Sequence, residues 1–308
     1  MAVKYREFKF FSNADKLEID CMAVVPEKNV KGVVQLVHGM CEHKERYYAF
    51  MEYLADKGYL CVIHDHRGHG GSVESEADLG YFYDGGYEAL VEDIHQLTMM
   101  VKEELGDVPY ILLGHSMGSL AVRCYLKKYD ADIDKLVILG SPSKSWGAAL
   151  GLAIAAVMER IKGGHARSRL LDSMVIHSQY EKRFESEGIL HAWICSDRAV
   201  VEQYNRDPYC NFCFTVDGYV QLIKLLLHTY SVKGWDMANP ALPVLFISGK
   251  EDPCNLSPKY FGKSVRFLKN RGYKNVQAVL FNGMRHEVLN EKGKNRVYKH
   301  IYDFISKG

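Results

Sequence analysis

Apolar residues recur at alternate positions over residues 5–11 and 17–25, on either side of the polar stretch Ser12-Asn13-Ala14-Asp15. A period of two places them on one face of a strand, and the turn residues between them predict an antiparallel hairpin with one wet face. Downstream the pattern changes. Six short apolar runs follow, at residues 33–37, 60–63, 110–113, 136–139, 244–247 and 276–281. Rich in Val, Ile and Leu, they predict strands buried on both faces of a parallel sheet. Between most of them lie stretches with helical spacing, at 47–57, 88–104, 119–128 and 259–270, and a last one at 295–306. Strands alternating with helices predict a doubly wound, mostly parallel α/β sheet with the hairpin as an antiparallel addition.

The alternation fails once. Between the run at 136–139 and the run at 244–247 stands a segment of roughly a hundred residues with no convincing strand, too long for a structureless loop inside a compact domain. It reads as an inserted helical subdomain. The expected organisation is a core formed by 1–142 and 240–308, with an insertion at 143–239.

Composition narrows the function classes. The chain has 308 residues, a net charge of +1 and 47% hydrophobic residues, which fits a globular protein and gives no reason to expect a nucleic-acid or polyanionic partner. Its eight cysteines are scattered, and the opening stretch is charged and alternating, unlike a secretory leader. No apolar run approaches the roughly 20 residues that a membrane-spanning helix needs. A cytoplasmic protein with free thiols is expected.

Chemistry enters at Gly114-His115-Ser116-Met117-Gly118, where a buried strand hands over to a helix. A serine on such a turn is held on a strained backbone with its hydroxyl exposed, as a nucleophile must be. The hydroxyl reacts only if a base takes its proton and an acid orients that base. In this arrangement the three follow the order Ser, Asp or Glu, His, on loops at the carboxyl ends of strands. The loop after the run at 244–247 holds Glu251 and Asp252, either of which could be the acid. The loop after the last run holds His286. An oxyanion needs two backbone N–H donors, expected from Met117, which follows the serine, and from Met40, in the loop after the first parallel strand.

Six segments, "HGMCEH", "HDHRGHGGS", "GHSMGS", "YNRDPY", "SGKEDP" and "MRHEVLNE", together make the chain resemble the monoacylglycerol lipase and lysophospholipase family of α/β-hydrolases, often labelled serine aminopeptidase-like. The resemblance runs from about residue 33 to the C-terminus. It implies the α/β-hydrolase fold with Ser116 as nucleophile, Asp252 as acid, His286 as base, and Met40 and Met117 as oxyanion donors. It also implies that the insertion is a helical cap over the site. The nucleophile motif ends Gly118-Ser119 where many members carry two glycines, a change expected to alter local packing only.

The expected activity is therefore that of a cofactor-free serine carboxylic-ester hydrolase acting on monoacylglycerols or lysophospholipids. A short-chain carboxylesterase is the alternative, ahead of a peptidase, an amidase or an acyltransferase. A non-catalytic binding protein should have lost one of the three residues, and none is missing. Epoxide hydrolases and haloalkane dehalogenases need an aspartate where Ser116 stands.

Other signals read as structural. His64, His66 and His69 with Asp65 lack the spacing of a metal site, and Cys210 and Cys213 form a lone Cys-x-x-Cys without a second pair. Asp207 in "YNRDPY" is expected to start a turn. Residues 146–161 are too short to cross a bilayer but rich in small and apolar residues, and residues 143–170 carry Lys144, Arg160, Lys162, Arg167 and Arg169 against Glu159. Transient contact with an anionic membrane surface is one expectation, a plain packed helix the other.

Overall fold

The computed structural model describes residues 4–27, 29–177 and 180–307. Among these, eight strands form one sheet: β1 Lys4–Phe11, β2 Glu18–Val25, β3 Gly32–Val37, β4 Tyr59–His64, β5 Tyr110–His115, β6 Lys135–Leu139, β7 Val244–Gly249 and β8 Val276–Phe281. Their order across the sheet is β1-β2-β4-β3-β5-β6-β7-β8. β2 runs antiparallel to both β1 and β4, and every other pairing is parallel. The helices, in chain order, are α1 Tyr48–Ala55, α2 Gly86–Leu105, α3 Met117–Tyr129, α4 Ala148–Lys162, α5 Arg169–Asp172, α6 Arg198–Arg206, α7 Val216–Thr229, α8 Pro258–Arg271 and α9 Lys294–Ile305.

Strand β3 shows why the runs are continuous in hydrophobicity. Val33 and Val37 pack toward Leu90 and Ile94 of α2 and Leu120 of α3, while Val34 and Leu36 pack toward Phe50 and Leu54 of α1 and Ile301 of α9. Both faces are covered, so alternation with polar residues would bury unpaired groups. The exception in β3, Gln35, is fully paired: its amide donates to the Ile94 carbonyl at 3.0 Å and its oxygen accepts from Thr98 Oγ1 at 2.8 Å and Tyr110 Oη at 2.5 Å.

Two strands depart from the pattern expected of them. β8 was expected to be buried on both faces, yet Gln277 and Ala278 are exposed, because it is an edge strand with β7 as its one neighbour. β1, the other edge, is exposed apart from Phe10 and the half-buried Phe8, and most of the dry face of the hairpin belongs to β2.

Between β6 and β7 the chain is helical, with α4 to α7, short 3-10 turns and one π-helical segment at Ser173–His177. α7 packs against α2 and α3 of the sheet layer and carries α4 on its other side. A separate apolar cluster, with Phe184, Trp193, Ile194, Val201 and Tyr204, closes over Cys254 in the loop after β7. No helix among the described residues is long and apolar enough to cross a membrane.

Candidate active site

Ser116 sits between β5 and α3 with φ +51° and ψ −117°, a conformation that costs a non-glycine residue roughly 1–3 kcal/mol. Neighbouring bonds hold it there. Its N–H donates to the Leu139 carbonyl at 3.0 Å, and its own carbonyl accepts from Ser119 N at 2.9 Å and Ser119 Oγ at 2.5 Å. Ser119, the residue that departs from the family's second glycine, thus braces the turn. The flanking glycines are a steric requirement. A Cβ on Gly118 would lie 2.2 Å from the Val37 carbonyl oxygen, and one on Gly114 would lie 2.5 Å from the Gly118 carbonyl oxygen.

His286 and Asp252 meet at the ends of the last two strands. His286 Nδ1 lies 3.1 Å from Asp252 Oδ1, and both side chains are buried. The same carboxylate accepts from Ser248 Oγ at 2.7 Å and from Cys254 N at 2.9 Å, so its orientation is set from three sides. Burial pushes the Asp252 carboxyl upward, but His286 and these donors outweigh it and hold it below its ordinary range. Glu251 lies one residue back with its N–H on the Met284 carbonyl, so the carboxylate at His286 is that of Asp252. Gly140, with φ +51°, leaves room beneath the imidazole: a Cβ there would stand 3.1 Å from His286 Nδ1. Trp193 lies against the His286 ring at 5.1 Å between centroids, and Cys254 Sγ is 3.9 Å from Nε2. Burial raises the Cys254 thiol well above its usual value, so it stays protonated.

The loop after β3 carries Gly39, Met40, Cys41, Glu42 and His43. Gly39 touches the serine turn, since a Cβ there would be 3.0 Å from Ser116 Cβ. Cys41 has φ +53°, a second strained residue, and its thiol donates to the Phe212 carbonyl at 3.0 Å. Glu42 is buried and gathers four donors: Gly39 N at 2.5 Å, Tyr47 Oη at 2.8 Å and His115 Nδ1 at 3.1 Å on Oε1, and Arg46 Nη1 at 3.1 Å on Oε2. Burial alone would raise the Glu42 carboxyl, but His115, Arg46 and Tyr47 hold it far below the carboxylate range. Burial would lower His115, yet its bond to Glu42 raises it above the ordinary imidazole value. Arg46 reaches on to Glu287, beside His286, with two bonds of 2.6 and 2.7 Å. The sequence reading missed this hub, because its bonded partners are up to 241 positions apart. The available signal was the density of charge in "CEHKER" and "RHE", in loops that follow strands β3 and β8.

Ser116, His286, Met40 and Met117 all line one cavity of about 740 Å³, within the range of small-ligand sites. One part of its wall is apolar, with Leu120, Leu150, Leu171, Leu222, Ile223 and Leu226; polar groups come from Glu42, His191, Tyr204 and Glu287. Asp207 is not in this wall. It accepts from Tyr209 N at 2.9 Å and pairs with His43 at 2.9 Å, fastening the turn after α6 to the loop after β3.

Among the described residues, two groups stand close enough to share a metal ion: His43, Asp207 and Cys210, and Asp252, Cys254 and His286. In each, the imidazole and the carboxylate are already hydrogen-bonded to each other. The histidines of "IHDHRGHGGS", together with His38 directly after β3, are occupied differently. His38 donates from Nδ1 to the Gly39 carbonyl and accepts at Nε2 from His66 N at 2.9 Å. His66 donates from Nε2 to the His38 carbonyl and accepts at Nδ1 from His64 Nε2, each at 3.1 Å. His69 donates from Nδ1 to the Arg67 carbonyl at 3.1 Å. Burial holds all four neutral, with His64 down to about 3 and His69 down to about 4. Cys210 and Cys213 are unpaired thiols, as are the other six cysteines.

A sequence profile described as "Serine aminopeptidase, S33" matches residues 28–293. Over 256 residues, 81% of this chain and 75% of the other, the sequence is 33% identical to a monoglyceride lipase of Mus musculus. It is 25% identical to a monoacylglycerol lipase of Mycolicibacterium smegmatis over 286 residues, 91% of this chain and 90% of that one. Among solved structures, a thermostable carboxyl esterase from Bacillus coagulans superposes with a TM-score of 0.86 at 24% identity, covering 98% of this chain and 99% of that one.

Proposed function

We propose that this chain, which belongs to the serine aminopeptidase S33 family of hydrolases, is an ester hydrolase that cleaves single-acyl-chain lipid esters such as monoacylglycerols or lysophospholipids. The observation that carries the reading is the buried Asp252–His286 pair, on one cavity wall with the strained Ser116. In the reaction, Ser116 Oγ attacks the ester carbonyl as His286 Nε2 takes its proton. Asp252 accepts from Nδ1, fixes the tautomer and stabilises the imidazolium. The oxyanion rests on the backbone N–H groups of Met40 and Met117, each worth roughly 3 kcal/mol to the barrier. His286 then protonates the departing alcohol, and water repeats the sequence on the acyl-enzyme to release the acid. No cofactor enters these steps.

The acyl chain lies along the apolar wall, and we read residues 143–239 as the cap that supplies most of it. The cap also supports a further reading, transient contact with an anionic membrane surface. Trp146, Leu150, Val157 and Ile161 fall on one face of α4 and its approach, exposed to solvent, with Lys144, Arg160 and Lys162 beside them. Failure to co-sediment with anionic vesicles at low salt would remove that contact. We place the protein in the cytoplasm, in keeping with its eight unpaired thiols.

The test is a set of initial rates on p-nitrophenyl esters from two to sixteen carbons, a monoacylglycerol, a lysophosphatidylcholine and an aminoacyl-anilide. Rates should peak at medium or long chains and on the monoacylglycerol, and Ser116→Ala should lower kcat by about 10⁴–10⁶. A peak at acetate would make this a short-chain esterase, a peak on the anilide a peptidase. A Ser116→Ala variant that kept most of its activity would overturn the site.

A further inference from the structure

The loop between β3 and α1 must keep one backbone N–H aimed at a developing negative charge while a full negative charge, Glu42, sits two residues away. Placed without compensation, that carboxylate would oppose the chemistry. It is instead compensated: four donors converge on it, one of them the Gly39 N–H and two of them cationic or able to become so, Arg46 and His115. The strained Cys41 lies between the Gly39-Met40 peptide and Glu42, so the loop does not hold this shape by its own preference. A short bond from Gly39 N–H to Oε1 ties down the start of the loop, and the glycine itself touches Ser116.

We infer that Glu42 is a positioning residue that preorganises the oxyanion site, by tying down the His38-Gly39 peptide, the one that precedes the Met40 N–H, against the serine turn. The inference rests on the function proposed above. Through Arg46 the same carboxylate is joined to Glu287, beside His286, and it bonds His115, the residue before Ser116, directly. One side chain therefore sets the relative placement of the three loops that bring Met40, Ser116 and His286 together. Glutamine is an incomplete substitute: its one oxygen can serve the three donors on Oε1, but its NH2 then faces the Arg46 guanidinium where Oε2 stood, and the charge that joins Arg46 to the hub is lost.

The test compares Glu42→Gln and Glu42→Ala with the parent protein in three measurements on a medium-chain ester. These are kcat and KM, the Kd of an alkylboronic acid that forms a tetrahedral adduct on serine, and the Kd of the matching alkyl alcohol, which fills the apolar wall without forming an adduct. Loss of oxyanion preorganisation should lower kcat by about 10²–10³ with KM within about threefold, as removing one donor does. The boronic acid should weaken by a similar factor and the alcohol should not. Thermal melting identifies a variant that fails to fold, and Glu42→Gln, with nearly the same volume, carries the test if Glu42→Ala does. Either variant keeping kcat within threefold would overturn the inference, as would boronic acid and alcohol weakening together, the mark of a merely loosened cavity. An inactive Ser116→Ala beside fully active Glu42 variants would leave the proposed function standing and remove only this role.

Discussion

Stability should fall steeply as the pH drops from 7 to 5, and the cause is the file of buried neutral imidazoles behind the loop after β3. His64 and His66 share one proton between facing nitrogens, and His66 and His38 each donate to a carbonyl. His64 Nδ1 and His69 Nε2 have no partner, so a second proton on either ring would be buried without an acceptor. In the unfolded chain these rings titrate near 6.5, whereas His64 and His69 in the folded protein are lowered to about 3 and about 4. A lowered folded pKa means that the unfolded state binds the proton first, so stability is lost as pH falls below 6.5. At pH 5 each of these two costs about 2 kcal/mol. His38 and His66 shift in the same direction and add to the loss. His115, raised by Glu42, works the other way and offsets part of it. Asp252, lowered from 3.8, loses its contribution only below this window.

The assay is urea unfolding at pH 7 and pH 5, with the slope against denaturant checked for constancy. We expect a loss of about 4 kcal/mol or more. His69→Phe is the internal control, since the ring packs edge-on against Phe82, Phe212 and Phe214 and phenylalanine keeps those contacts. The variant should lose one proton's worth of the pH dependence, about 2 kcal/mol. A stability that changes by less than about 1 kcal/mol over the window would refute the reasoning, because the rings could not then be held neutral by burial.

Two substitutions probe the site's construction. Gly118→Ala drives a methyl into the Val37 and His38 carbonyl oxygens and should cost about 3 kcal/mol or more, whereas Gly151→Ala, with Ile223 Cδ1 at 3.7 Å, should melt within a degree or two of the parent. Equal melting temperatures for the two would contradict the packing described. Asp252→Asn turns an amide donor toward Ser248, Cys254 or His286, and should lower kcat by about 10³–10⁴ with little change in KM. A loss under tenfold would argue against Asp252 as the orienting acid.

The sheet was legible because its signal is local. Each inner run such as Leu60–Ile63 is buried on both faces, so its chemistry is written in consecutive residues. The edges misled for the same reason: Val276–Phe281 reads like an inner strand, and its exposure depends on a missing neighbour. Ser116, Asp252 and His286 could be singled out as candidates because each follows a run that ends in a loop, and the structure brings these loops to one end of the sheet. Glu42, Arg46 and Glu287 could not, since what gives Glu42 its role is a meeting of loops after β3, β5 and β8. Within residues 143–239, the apolar stretch at 146–161 signalled α4, but α6 has no long apolar run, and its placement rests on contacts with the rest of the fold.

The helical stretch leaves the sheet from β6 and returns on β7, and these two strands are direct neighbours. Its two ends are therefore held a strand's width apart, whatever lies between them. The entropy of closing such a loop grows only with the logarithm of its length, so each doubling adds about 0.6 kcal/mol. Register between β6 and β7 is set by strand pairing and does not depend on how many helices the excursion contains. A replacement roof of different size could be grafted between residues 142 and 240 at small cost to the floor, provided that it covers the outer faces of α2 and α3. On the function proposed above, substrate range could diversify in that one segment while Ser116, Asp252 and His286, seated on strand ends outside it, stay where they are.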